Sequence, residues 1–162
     1  MKIILEQING NEEEQIVVKY RQLRPELLYA VGESLIGKIE GDTNGTKESN
    51  RLFAICDKEI FVLKPSDILY IESVEGKTFM YCENRVYESA QKLKELEAML
   101  KEDNFLRISR TVLANLNNVR SFFPVLAGQL GATMLNGEKL IITRRYMTNV
   151  QTALGLQKGT SK

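Results

Sequence analysis

Apolar residues along this chain come in short bursts separated by turn-forming residues, and the spacing within each burst decides the element. Lys2–Ile8 and Gln15–Arg21 read as two strands around the acidic, turn-rich Asn9–Glu14. Pro25 sits where a first helical residue would, and Leu27, Leu28, Val31, Leu35 and Ile39 then recur at helical spacing. Gly41–Asn50 has no apolar residue and predicts a linker. From Arg51 the pattern becomes β-rich, with strands expected at Leu52–Cys56, Ile60–Leu63, Leu69–Val74 and Thr78–Glu83. A helix capped by Ser89 and striped by Leu93, Leu96 and Leu100 follows, ending at Asp103-Asn104. Strands resume at Phe105–Ile108, and Arg120 falls in the next one. Leu130, Ala132 and Met134 alternate with polar or small residues up to Asn136-Gly137, and Lys139–Thr143 follows. That pattern predicts a hairpin closed by a tight turn, since both turn residues tolerate positive φ. A last helix is expected from Arg145 to Leu154, stopped by Gly155. The fold class is mainly β (α+β), antiparallel, with one or two short helices after a small β-β-α extension. Residues 1–50 form the extension and linker, 51–155 the main domain, and 156–162 a disordered tail.

Composition narrows the function. The 162 residues are 43% hydrophobic and 27% charged, ordinary values for a globular protein. No apolar run approaches the ~18 residues that span a bilayer. The N-terminus meets Glu6 after only Ile3-Ile4-Leu5, so a secretory signal is not expected and the chain is placed in the cytoplasm. There is no histidine, and Cys56 and Cys82 are the only cysteines. Ser-His-Asp and Cys-His catalysis are thereby excluded, and soft ligands for a structural zinc are too few. The two cysteines read as reduced thiols. Gly45-Thr46-Lys47 lacks the glycine spacing of a phosphate-binding loop. Neither an enzyme, a cofactor nor a metal is expected.

Charge changes the picture again. Residues 1–50 hold 6 basic and 9 acidic residues, and residues 51–103 hold 8 and 11. Residues 104–162 hold 8 basic residues against one acid, Glu138. A C-terminal third of net +7 suits a polyanion, with ordinary solvated surface as the other reading. Arg107 and Arg110 flank Ile108-Ser109, and Arg144-Arg145 stand where a strand passes into a helix. Guanidinium groups at such positions can fork onto phosphate or onto guanine O6 and N7. Their company of Ser109, Thr111, Asn115, Asn117 and Asn118 favours nucleic acid.

Three blocks carry a family resemblance. They are Asp67-Ile68-Leu69-Tyr70-Ile71-Glu72-Ser73, then Phe105-Leu106-Arg107-Ile108-Ser109-Arg110-Thr111-Val112-Leu113-Ala114-Asn115-Leu116, then Asn136-Gly137-Glu138-Lys139-Leu140-Ile141-Ile142-Thr143-Arg144-Arg145-Tyr146. In this order, with the leucine-striped helix between the first two, they resemble the LytTR DNA-binding domain over residues 51–155. The resemblance implies a response regulator-like transcription factor that reads double-stranded DNA with loops and strand ends in successive major grooves. Carried over by position, its DNA contacts fall at Lys77-Thr78, at Ser109-Arg110 and at Arg145. Thr111 and Arg144 are expected to support them, and Asn115 to hold the 109–115 loop in shape.

Two departures matter. The family commonly has histidine where this chain has Ser109, which shortens that contact. An upstream receiver domain, frequent in the family, is not expected here, because about 50 residues precede the domain and no aspartate occurs before Asp42. The chain is similar to stand-alone LytTR regulators, which implies a possible small membrane-protein partner. Its acidic first 50 residues are expected to serve dimerisation or regulation, with packing onto the chain's own domain as the alternative. The function expected is a sequence-specific DNA-binding transcription regulator, against the alternative of a protein- or RNA-interaction module on the same fold.

Overall fold

The alternation of apolar and polar positions from Leu52 onward folds into two antiparallel sheets that share β3 as their common support. The computed structural model describes residues 52–57 and 59–155. The expected strands at 2–8 and 15–21, the helix after Pro25, the 41–50 linker and the 156–162 tail lie outside the described residues. The larger sheet contains β1 (Leu52–Cys56), β2 (Glu59–Leu63), β3 (Ile68–Val74), β4 (Lys77–Cys82), β5 (Val86–Ser89), β6 (Phe105–Arg107) and β7 (Val112–Asn115). Its spatial order is β2-β1-β5-β4-β3-β7-β6. The smaller sheet contains β8 (Val119–Val125), β9 (Gln129–Met134) and β10 (Lys139–Ile142), in the order β10-β9-β8. Helix α1 is Leu93–Met99 and helix α2 is Arg144–Ala153.

Strand β3 lies between β4 and β7 and is covered on both faces. A register shift between Ile68 and Tyr70 marks a bulge, so that Leu69 and Tyr70 face one way while Ile68 and Ile71 face the other. Ile68, Ile71, Met80, Leu113 and Phe105 pack under the leucine stripe Leu93, Leu96 and Leu100 of α1. On the other face Leu69, Tyr70, Ile108 and Ala114 meet Ala132, Met134 and Ile142 of the small sheet and Val150 of α2. Tyr70 and Tyr81 stack with ring centroids 4.3 Å apart, and burial raises both phenol pKa values.

Several expectations needed correction. Ser89 does not cap α1: it ends the unanticipated strand β5, and its Oγ accepts from the Gln91 N–H at 3.1 Å. Lys92 is the cap residue, and its backbone N–H donates to Glu95 at 2.8 Å, satisfying a donor that the first turn leaves open. The stretch 109–115 is a loop only as far as Thr111; from Val112 it is β7, paired to β3 and β6. The two-residue turn with positive φ at both positions is Glu75-Gly76 (φ 50° and 82°), not Asn136-Gly137. At the latter only Gly137 has positive φ (91°). Its N–H donates to the Met134 carbonyl at 2.9 Å, and Met134 N–H donates to Glu138 at 2.8 Å. This is a three-residue loop with a glycine bulge. Gly155, at φ 68°, does end α2 as expected.

Candidate nucleic-acid interface

Strand direction puts four connections at the same end of the molecule: the Glu75-Gly76 turn, the 108–111 loop, the Leu126–Gly128 turn and the start of α2. Backbone bonds knit them together. Ser73 N–H donates to the Thr111 carbonyl at 2.8 Å, joining the first connection to the second. Thr143 donates to the Ile108 carbonyl through its N–H at 2.9 Å and through Oγ1 at 3.3 Å, joining the second to α2. Arg144 Nη2 donates to the Ala127 carbonyl at 2.9 Å, joining α2 to the turn between β8 and β9.

Ile108 anchors the 108–111 loop in the core, and side-chain hydrogen bonds shape the rest of it. Ser109 Oγ accepts the Thr111 N–H at 3.1 Å and the Val112 N–H at 3.0 Å. Arg107 wraps the outside: Nε donates to the Ser109 carbonyl at 3.0 Å and Nη2 to the Arg110 carbonyl at 2.5 Å. Its Nη1 donates to Glu97 of α1 at 2.8 Å. A planar guanidinium is suited to such a clamp, because its donors are fixed in one plane. Arg107 is therefore committed to the fold, while Arg110 and Thr111 are left exposed at the tip. The Arg110 side chain makes no ion pair among the described residues.

Each expected site residue can now be placed. Lys77 starts β4 at the edge of the turn, exposed but paired to Glu88 at 3.1 Å. Thr78 is 5% exposed on the α1 side of the sheet, so its side chain belongs to the packing. Ser109 spends its oxygen on the loop backbone. Arg110 and Thr111 are exposed beside it, and Arg144 is a brace to Ala127. Arg145 is exposed, with its guanidinium 5.9 Å from the Tyr146 ring centre. Asn115 corrects its expected role. It lies at the far end of β7, where Nδ2 donates to the Pro65 and Ile68 carbonyls, both at 3.1 Å, and Oδ1 accepts from Asn117 N–H at 3.0 Å. Asn118 reinforces that anchor by donating to Ser66 and Ile68.

Sequence reading missed Arg107 as the loop clamp, Thr143 as the tie and the Leu126–Gly128 turn altogether. A basic residue two positions before a serine gives no local sign that it will bond backward onto the loop. The far end has a different character. There an open cleft of about 390 Å³ is lined by residues including Ser66, Asp67, Cys82, Arg85 and Asn118. Burial pushes the Cys82 thiol up to about 11, and Asp67 adds to the effect. Among the described residues no cluster of side chains suited to holding a metal occurs, and no helix is long and apolar enough to cross a membrane.

A sandwich of antiparallel sheets that exposes Arg110 and Arg145 on connections at one end defines a class, and comparison identifies it. Residues 58–155 match the model of the LytTr DNA-binding domain, and the chain belongs to the LytTR family. Among similar proteins, the sensory transduction protein LytT of Bacillus cereus is 26% identical over 112 residues, covering 69% of this chain and 46% of that protein. The transcriptional regulatory protein LytR of Staphylococcus aureus (strain N315) is 25% identical over 154 residues, 90% of this chain and 62% of that one. The chain thus spans roughly half to three fifths of these relatives' length. A solved LytTr DNA-binding domain from Bacillus cereus superposes with a TM-score of 0.63 at 23% identity, covering 67% of this chain and 99% of that structure. That likeness supports the fold.

Proposed function

We propose that this protein is a transcription regulator that binds specific sites in double-stranded DNA through the turn and loop tips at its basic end. The observation that carries the reading is the backbone linkage of the 75–77 turn, the 108–111 loop and the 143–145 helix start, which sets Lys77, Arg110 and Arg145 along one end. Arg110 and Arg145 are the base or phosphate contacts. Lys77 is a weaker one, offset by Glu88 and by Glu75 on the same turn. Ser109, Thr111 and Arg144 support them, and Thr78 supports through packing. Narrow tips of one or two residues can enter a major groove about 12 Å wide, so a recognition helix is not required. Residues 1–50 are acidic and serve self-association, so that two copies suit a repeated site and raise affinity through effective concentration.

The test is binding to duplexes selected from a random pool, compared with RNA of the same sequence and followed against salt. With about five phosphates neutralised, log K falls with log salt at a slope near −4 to −5. A flat salt response, or equal binding of RNA, overturns the reading. Sedimentation of the intact chain at tens of micromolar tests the dimer, and a monomer there removes the self-association role.

A further inference from the structure

Leu126 is 89% exposed, whereas the other exposed large apolar side chains among the described residues range from 38% to 54%. It opens the turn between β8 and β9, beyond the last paired residues Val125 and Gln129. The two residues after it both have positive φ, Ala127 at 59° and Gly128 at 71°. An alanine rarely adopts that conformation, because its Cβ crowds the backbone. Arg144, at the start of α2, holds the alanine's carbonyl at 2.9 Å. A leucine in solvent gives the fold almost nothing, yet the turn that presents it is held in an unfavourable shape by a cation of the basic end.

We propose that Leu126 is a specificity residue that packs against the C5-methyl group of a thymine in the major groove. The inference rests on the DNA-binding reading above and extends it to a fourth point of contact. Leu126 has no hydrogen-bonding group, so it has nothing to offer a phosphate. In the major groove, thymine's methyl group is the apolar feature that distinguishes one base pair from another. Arg144 fixes the turn beside Arg145, which places this contact next to the base pair or phosphate that Arg145 meets. The apolar tip contributes discrimination where the arginines contribute attraction, and it is insensitive to salt.

The experiment uses the full chain and its selected duplex, with each thymine replaced in turn by deoxyuridine, which lacks only the methyl. Wild type, Leu126→Ala and Arg110→Ala are compared on this series and on an unrelated duplex of equal length. One deoxyuridine position weakens wild type by about fourfold, the effect of one buried methyl group, and leaves Leu126→Ala unchanged. Leu126→Ala weakens binding to the selected duplex, not to the unrelated one, and unfolds at the wild-type temperature. If Leu126→Ala binds as wild type and responds to every deoxyuridine as wild type does, the proposal is wrong while the Arg110→Ala loss keeps the DNA reading intact. If Arg110→Ala also binds as wild type, the interface itself is misplaced and the proposal falls with it.

Discussion

Ile108 offers its carbonyl oxygen to Thr143 twice, to the backbone N–H at 2.9 Å and to Oγ1 at 3.3 Å. One oxygen thus fixes the distance between the loop that carries Arg110 and the helix that carries Arg145. Thr143→Val keeps the shape and the backbone bond and removes only the hydroxyl. Stability falls by about 0.5–1.5 kcal/mol, the worth of one such bond. Affinity for the selected duplex falls more than for random DNA, because spacing matters to register and not to charge. Chemical denaturation and paired binding isotherms check both halves.

Arg107 tests whether the loop is held by its clamp or by the strands on either side. Arg107→Lys preserves charge but cannot reach Glu97 and two carbonyls at once. The variant loses about 1–3 kcal/mol of stability and weakens specific binding through the loop that Arg107 holds. Unchanged loop amide exchange in the variant counts against the clamp.

Arg110→Ala and Arg145→Ala each lose about 1–3 kcal/mol of specific binding with unfolding temperatures near wild type. Arg120 is the matched control. It lies in the same basic third but at the far end, where its guanidinium donates to the Leu135 carbonyl. Equal losses in Arg120→Ala mean that general charge, not position, sets affinity.

Glu88 holds Lys77 at 3.1 Å and competes with any phosphate for it. Glu88→Gln releases the lysine, and binding tightens by about two- to fivefold at low salt, shrinking as salt rises. A weaker-binding Glu88→Gln variant means that Lys77 needs its partner to be positioned.

Cys82 makes an alkaline prediction. Its thiol has a folded-state pKa of about 11 against 9.0 for the free group, chiefly through burial. Above pH 9 the unfolded chain releases a proton that the folded protein still holds, so stability falls as pH rises toward 11. Below pH 9 both states keep the proton and no dependence arises. Cys82→Ala shows a smaller decline over the same window, read by urea unfolding at pH 8, 9.5 and 10.5.

How much of this was legible depended on whether the determining contacts were local. The leucine stripe of α1 and the β9–β10 hairpin were readable because helical spacing or alternation runs through them, and the β3–β4 hairpin because two apolar runs flank Glu75-Gly76 despite the bulge in β3. Strands β5 and β7 were not, since each is short and has no tight-turn signal joining it to a readable partner; β7 is defined by pairing to β3 some forty residues earlier. The Asn136-Gly137 pair carried the right element and the wrong turn, because Leu135 joins the loop and only the glycine takes positive φ. Arg110 and Arg145 were marked by charge and resemblance. Thr78 was marked by position alone and is buried. Asn115 was assigned to the nearest loop in sequence, yet its amide bonds reach back to Pro65 and Ile68.

The clamp around the 108–111 loop separates what may vary from what may not. Ser109, Arg107 and Thr143 hold the backbone, whereas the side chains of Arg110, Thr111 and Leu126 hold nothing within the described fold. Substitutions at those three tips therefore leave folding free energy almost untouched while changing the surface offered to a ligand. On the proposed reading, descendants of such a chain can drift from one DNA site to another in single steps without passing through an unfolded intermediate. Recognition is here the cheapest property to alter, and the scaffold the dearest.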